Sequence, residues 1–275
     1  MSHRVYEVLD RSEVGNVLFY PRRDVGIPRL ATGVHTVRIP VSEEIAVVGK
    51  IFAATEGRGP AILYFHGNGE IASDYDTIAP FYTRQGITLF VVDYRGYGLS
   101  EGTPSATSLI EDAWTVYEKT PETLASVGIV AQPLFVMGRS LGSAAALEIV
   151  DRAKDGVEGL IIESGFAYTF PLIERIGFLP MADAYEHKDG FGNLDKISRA
   201  KLPTLIIHGE RDWIIPISDA DALFEASPAA QKTFVRIPGA GHNDLMLVGR
   251  ETYFRSLARF CGSGPEDAPD AGDGG

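Results

Sequence analysis

The sequence predicts a doubly wound α/β domain: a mostly parallel, eight-stranded sheet, opened by an antiparallel pair, with helices on both faces. Three observations lead there. Short apolar runs bounded by turn residues recur near Val34–Val41, Ile45–Ala53, Ala61–Phe65, Thr88–Val92, Leu134–Met137, Gly159–Ile162, Thr204–Ile207 and Thr233–Ile237. From the third run onward they alternate with stretches of helical periodicity, as parallel βαβ units require. The runs "AILYF" and "TLFVV" are apolar throughout, as strands covered on both faces must be.

Taken in order, residues 1–33 read as an N-terminal extension. They carry Arg4, Arg11, Arg22, Arg23 and Arg29 among scattered acids and hold no continuous apolar segment. Neither a signal peptide nor a membrane span is expected, and the location expected is cytoplasmic. The domain is expected over residues 34–261. After the fourth run, "SATSLIEDAWTVYEKT" places Ala106, Leu109, Ile110, Ala113, Trp114 and Tyr117 at i, i+3, i+4 spacing, which predicts an amphipathic helix with one buried face. After the fifth, "SLGSAAALEIV" opens a helix whose small residues permit close packing on the sheet.

The rhythm breaks at about 164–202. Phe166, Tyr168, Phe170, Phe178, Met181, Tyr185 and Phe191 are interrupted there by Gly and Pro. So many aromatics argue against disorder, and a small lid insertion of short helices is expected. The chain ends in "GSGPEDAPDAGDGG", residues 262–275, which reads as a disordered acidic tail.

With 45% hydrophobic and 23% charged residues, the 275-residue chain has ordinary globular composition. Its net charge is −12, and the four acids of the tail account for the difference from −8 over residues 1–261. That balance argues against nucleic acid, which needs clustered Lys and Arg, and more weakly against an anionic membrane surface. Cys261 is the one cysteine, so no intrachain disulfide can form and no thiolate metal site is suggested. It reads as a half-buried thiol at the end of the last helix. No metal or cofactor is expected.

The stretch "FVMGRSLGSAAA" sets an apolar strand directly before a serine held between glycines, and a helix directly after it. "GRSLG", Gly138 to Gly142, fits G-x-S-x-G. A strand turning at once into a helix forces its corner residue into a strained conformation and needs small neighbours where backbones crowd. Ser140 Oγ is thereby expected at the sheet's carboxyl edge. A serine hydroxyl is a poor nucleophile unless a positioned base takes its proton.

The chain has six histidines. His3 lies in the terminus, His35 in an early strand and His187 in the lid, and each reads as a surface or packing residue. His208, in "IIHGERD", and His66, in "YFHGNGE", read as structural hydrogen-bonding residues. His242, in "PGAGHNDL", follows the last strand on a glycine-flexed loop at the same edge as Ser140 and is the expected base. The acid that holds its tautomer is expected at Asp212 in "IIHGERDWIIP", with Glu210 and Glu163 as rivals. Glu163 is expected in an ion pair with Arg139. The glycine-rich "HGNGE" supplies donors for an oxyanion: the backbone N–H of Asn68, together with that of Leu141.

"FHGNGE", "VVDYRGYGLSEG", "GRSLG", "LIIHGERDWIIP" and "GAGHND", in that order, resemble the α/β-hydrolase superfamily from about Val34 to Phe260. "YRGYGLSEGTPS" and "LDKISRAKLPTLIIHGERDWIIP" are similar more closely to small serine hydrolases related to bud-emergence proteins and to thioesterases that remove palmitate from protein cysteines. The resemblance implies the α/β-hydrolase fold, and loop-fixing roles for Asp93 and Arg95. The cysteine-rich N-terminus of membrane-targeted members is not found here, so action on membrane-bound proteins is not implied.

The expected activity is cleavage of carboxylic esters or thioesters through an acyl-enzyme, with Ser140, His242 and Asp212 as triad and a small-molecule or acyl substrate. The lid aromatics suggest an apolar acyl group. An aminopeptidase or amidase on the same triad is the alternative, and it needs acids such as Glu70, Glu163 or Glu210 to hold the substrate's amine. A non-catalytic binding protein on this fold would be expected to lack a triad position, and none is lacking.

Overall fold

The computed structural model of the protein describes residues 5–26, 33–54, 57–177 and 180–263. A short helix α1 (Ser12–Leu18) precedes β1 (Val34–Pro40), β2 (Ala46–Phe52) and β3 (Arg58–Phe65). Then come α2 (Ala79–Thr83), β4 (Thr88–Val92), α3 (Ala106–Ser126), β5 (Val130–Arg139), α4 (Gly142–Arg152) and β6 (Gly159–Glu163). The segment expected as a lid holds α5 (Thr169–Gly177), α6 (Glu186–Asp189) and α7 (Asn193–Ile197). The chain continues through β7 (Thr204–Gly209), α8 (Ile217–Ala226), β8 (Lys232–Ile237), α9 (Leu245–Val248) and α10 (Arg250–Phe260).

All eight strands form one sheet in the order β1-β2-β4-β3-β5-β6-β7-β8. β2 runs antiparallel to both its neighbours, and every other pairing is parallel. The carboxyl ends of β3 to β8 therefore share one edge, and the loops that follow Phe65, Arg139, Glu163, Gly209 and Ile237 gather there. β3 and β5 begin earlier than expected and pair from Arg58↔Val130 onward. Pro60 and Pro133 interrupt the apolar runs in the sequence, which hid the first turns of these strands.

Side chains alternate between the two faces with period two, and each face carries its own core. Leu63, Val136, Ile162 and Ile206 pack with Leu109, Leu147 and Leu223 of α3, α4 and α8. Ile62, Tyr64, Met137, Ile161 and Ile207 pack with Tyr82, Leu245 and Leu257 of α2, α9 and α10. Each such side chain contributes about 1.5–3 kcal/mol by leaving water.

Several details differ from the sequence reading. On α3 the buried face is Ala106, Leu109, Ile110, Ala113, Val116 and Leu124; Trp114 and Tyr117 lie on its flank, against each other and with Arg152 over the indole. Cys261 is fully buried rather than half-buried, which pushes its thiol up to about 12. Residues 5–26, placed outside the domain by sequence, pack on it: Tyr6, Leu9, Val14, Leu18 and Phe19 are buried, and Arg11 pairs with Asp183 at 2.8 Å. That arm has no strand periodicity of its own, so only its docking reveals it.

Within the insertion, Phe166, Phe170, Met181 and Phe191 are buried as part of the core on one face of the sheet, while Tyr168 and Tyr185 face solvent. Phe178, His3, Arg4, Arg29 and the tail from 264 lie outside the described residues. No helix among the described residues is long and apolar enough to cross a membrane.

Candidate active site

β5 ends at Arg139 and α4 begins at Gly142, leaving a two-residue corner. Ser140 takes φ +50°, a conformation that residues with a Cβ adopt only when the surroundings enforce it. Its amide donates to Glu163 O at 2.9 Å, and its carbonyl accepts from Ser143 N–H at 3.0 Å and Ser143 Oγ at 2.7 Å. The flanking glycines are steric requirements. A Cβ on Gly142 would overlap the Phe65 carbonyl at the end of β3, and one on Gly138 would overlap the backbone of Gly142. Gly142→Ala is accordingly expected to lower stability by about 1–3 kcal/mol. The denaturation midpoint reads this, and an unchanged midpoint would mean that the elbow has room to shift.

The three candidate triad residues meet at this edge. Ser140 Oγ lies 3.0 Å from His242 Nε2, and His242 Nδ1 lies 2.7 Å from Asp212 Oδ2. All three side chains are buried, with Ser140 and His242 just reaching the surface at 8% and 9% exposure. The second carboxylate oxygen of Asp212 accepts from the amides of Ile214 and Ile215 at 2.9 and 2.8 Å. Burial works against the charge of Asp212, but hydrogen bonds from His208, His242 and Ile215 outweigh it and hold the pKa far below the ordinary carboxylate range.

His208 is structural, as expected: its Nε2 donates to Ile215 O at 2.8 Å and lies 3.4 Å from Asp212 Oδ2. Of the rivals for the acid role, Glu210 is exposed, and Glu163 Oε1 accepts from Arg139 Nε at 3.2 Å, the ion pair expected. His35 is half-buried in β1, and His187 is exposed on α6.

The loop after β3 closes the opposite side. His66 Nδ1 donates to Gly67 O at 2.8 Å, and its Nε2 lies 3.2 Å from Asp93 Oδ1. Asp93 in turn accepts from Ala72 N–H at 2.7 Å, and Arg95 grips Asp112 of α3 through two bonds of 2.7 Å, so both fix loops rather than face the serine. Neither the Asn68 nor the Leu141 amide has a backbone acceptor among the described residues.

Sequence reasoning missed two supports of this loop. Asn68 Oδ1 accepts from Tyr20 N–H and Tyr97 Oη, both at 2.7 Å, so the N-terminal arm reaches the site. Glu70 accepts from Gly67 N–H at 2.9 Å. The Gly67–Glu70 spacing of a tight turn was the only local signal for the second, and the first had none.

A family described as serine aminopeptidase, S33 (Hydrolase_4) matches residues 58–176 and 193–246. The break at 177–192 is narrower than the lid expected from sequence. Protein bem46 of Schizosaccharomyces pombe is 30% identical over 217 residues, covering 76% of this chain and 70% of that protein. Alpha/beta hydrolase domain-containing protein 17C of Xenopus tropicalis is 32% identical over 233 residues, covering 80% and 67%.

Among solved structures, the Pyrococcus furiosus esterase Pf2001 superposes with a TM-score of 0.70 at 18% identity, over 87% of this chain and 97% of that one. A soluble variant of Saccharomyces cerevisiae monoglyceride lipase in complex with a substrate analog gives 0.66 at 17%, over 86% and 97%. At such identities these two speak for the fold alone. The family match spans more than half of the chain and the curated relatives are 30 and 32% identical over the aligned stretch, so the chain belongs to the serine aminopeptidase S33 family of the α/β-hydrolase superfamily, beside the bud-emergence hydrolases, and is a hydrolase.

Proposed function

We propose that the protein is a serine hydrolase that cleaves carboxylic esters or thioesters through an acyl-enzyme. The observation that carries this reading is the continuous relay of 3.0 and 2.7 Å from Ser140 through His242 to Asp212. Asp212 accepts a hydrogen bond from His242 Nδ1–H, which holds the tautomer whose Nε2 is free to take the Ser140 proton. Ser140 Oγ attacks the acyl carbon, and the Asn68 and Leu141 amides hold the oxyanion. His242 then returns the proton to the departing alkoxide or thiolate. Water, activated by the same imidazole, releases the acid.

The apolar character of the acyl group is supported by Trp213 and Ile214, next to Asp212, and by Leu247 and Val248, in the short helix after His242. All four are solvent-exposed, Trp213 at 85% and Leu247 at 86%. The insertion aromatics support it less, because most are consumed in packing.

The family's description favours a second reading, an aminopeptidase. That activity needs a free acid to hold the substrate's amine. Glu70 and Glu163 both face Arg139 and are not free to do so, which favours the ester reading. The test is a panel of p-nitrophenyl acyl esters and acyl thioesters, short to long, against aminoacyl anilides, with fluorophosphonate labelling mapped to its serine. Turnover is expected on the acyl panel with Ser140 labelled; higher kcat/KM on the anilides would move the reading to a peptidase.

The depressed Asp212 carboxylate also sets the pH behaviour. A group whose folded pKa is lowered contributes stability that is fully present above its unfolded value, about 3.9, and is lost as pH falls through the folded value. The contribution of Asp212 to stability is therefore expected to be level from about pH 8 down to about pH 5 and to be lost only in stronger acid.

A further inference from the structure

Arg139 precedes Ser140, is 7% exposed, and directs its guanidinium at three separate segments, the end of a strand and two loops. Nε donates to Glu163 Oε1 at the end of β6, and Nη1 donates to Glu70 Oε1 in the loop that carries Asn68. Nη2 donates to the backbone carbonyl of His242 at 2.8 Å and to Asn243 Oδ1 at 3.0 Å.

The acceptors are themselves held. Glu163 Oε2 accepts from Tyr253 Oη at 2.7 Å and Tyr64 Oη at 3.2 Å. Glu70 Oε2 accepts from Tyr75 Oη at 2.8 Å, besides the Gly67 amide. Tyr75 Oη also lies 3.0 Å from Tyr64 Oη, and Tyr82 meets Tyr253 at 2.9 Å, which anchors the network on β3, α2 and α10. Burial opposes the guanidinium charge, and Glu70 and Glu163 more than offset it.

We propose that Arg139 is a positioning residue that sets the distance between nucleophile, base and oxyanion loop by tying the His242 backbone and Glu70 to the end of the strand that leads into Ser140. The inference rests on the serine-hydrolase reading for its effect on turnover, but its geometric content stands apart from it. The bond to the His242 carbonyl holds the base from behind, and distances of 3.0 and 2.7 Å in the relay leave little slack. A planar fork with five donors serves three segments at once. A lysine, with three donors on one nitrogen, cannot span them.

The test uses the full chain with Arg139→Lys and Glu70→Gln. Three quantities are read: the thermal transition, kcat and KM on a p-nitrophenyl acyl ester, and the imidazole 15N shifts of His242 in 15N-histidine-labelled protein, which report the bond to Asp212. Arg139→Lys is expected to melt cooperatively and to lose on the order of 10²-fold in kcat, the scale of a misplacement of about 1 Å. KM should stay within about twofold, and the His242 shifts should move. Glu70→Gln keeps an acceptor for Arg139 but loses the one for Gly67 N–H. It is expected to lower kcat about tenfold with the His242 shifts unmoved, since only one oxyanion support is weakened.

A folded Arg139→Lys with wild-type kcat and wild-type His242 shifts overturns the proposal. Should Arg139→Lys not fold, wild-type kcat in Glu70→Gln does so instead. Failure of the hydrolase reading looks different: wild-type protein without acyl turnover or Ser140 labelling. The His242 shifts then still decide whether Arg139 sets the loop.

Discussion

Replacing Ser140 with alanine is expected to lower kcat on the order of 10⁶-fold, as removal of the nucleophile does in other serine triads. Fluorophosphonate labelling should vanish with it. Folding should survive, because the Ser140 side chain makes one hydrogen bond, to His242 Nε2, and a bond of that kind is worth about 1 kcal/mol net. Alanine carries the same Cβ, so the backbone cost of φ +50° is unchanged. Kinetics and the intact mass of probe-treated protein check this. Label persisting at Ser164 would transfer the nucleophile's role: that residue directly follows β6 beside the elbow, takes φ +46°, and buries a hydroxyl with no hydrogen-bond partner among the described residues.

Asp212→Asn is expected to lower kcat by roughly 10⁴-fold with the fold retained. Asp212 Oδ1 accepts two amides, from Ile214 and Ile215, so the asparagine carbonyl must take that position. Its NH₂ then faces His242 Nδ1, donor against donor. Relief comes by moving the imidazole proton to Nε2, where it meets the Ser140 hydroxyl and can no longer accept from it. Steady-state kinetics, with circular dichroism to confirm folding, decide the matter. An unchanged kcat would shift the acid's role to another carboxylate, although Glu163 is engaged with Arg139 and two tyrosines and Glu210 points to solvent.

The candidate site was legible in sequence for a topological reason. Parallel strands put all their carboxyl ends on one edge, so a serine after β5, an aspartate after β7 and a histidine after β8 become neighbours once the strands are recognised. The elbow was legible because Gly138 and Gly142 have no room for a Cβ. By contrast, the starts of β3 and β5 were hidden by prolines. The aromatics of the insertion suggested an acyl pocket, yet Phe166 and Phe191 meet edge to face with ring centroids 6.0 Å apart, and Phe191 also meets Tyr6 of the arm at 5.4 Å. An apolar residue reads the same in sequence whether it lines a pocket or fills a core.

By itself, the sequence determined the order of strands and helices, the strained corner at Ser140, and which side chains share its edge, because each follows from periodicity or from sterics within a few residues. Only the tertiary structure decided what holds that edge in register. Arg139 joining Glu70, Glu163 and His242, and Tyr20 bracing Asn68, link residues that lie from about 24 to about 103 positions apart. Contacts at such separation depend on how the layers dock, and a hydrogen-bonding side chain carries no local pattern that names its distant partner.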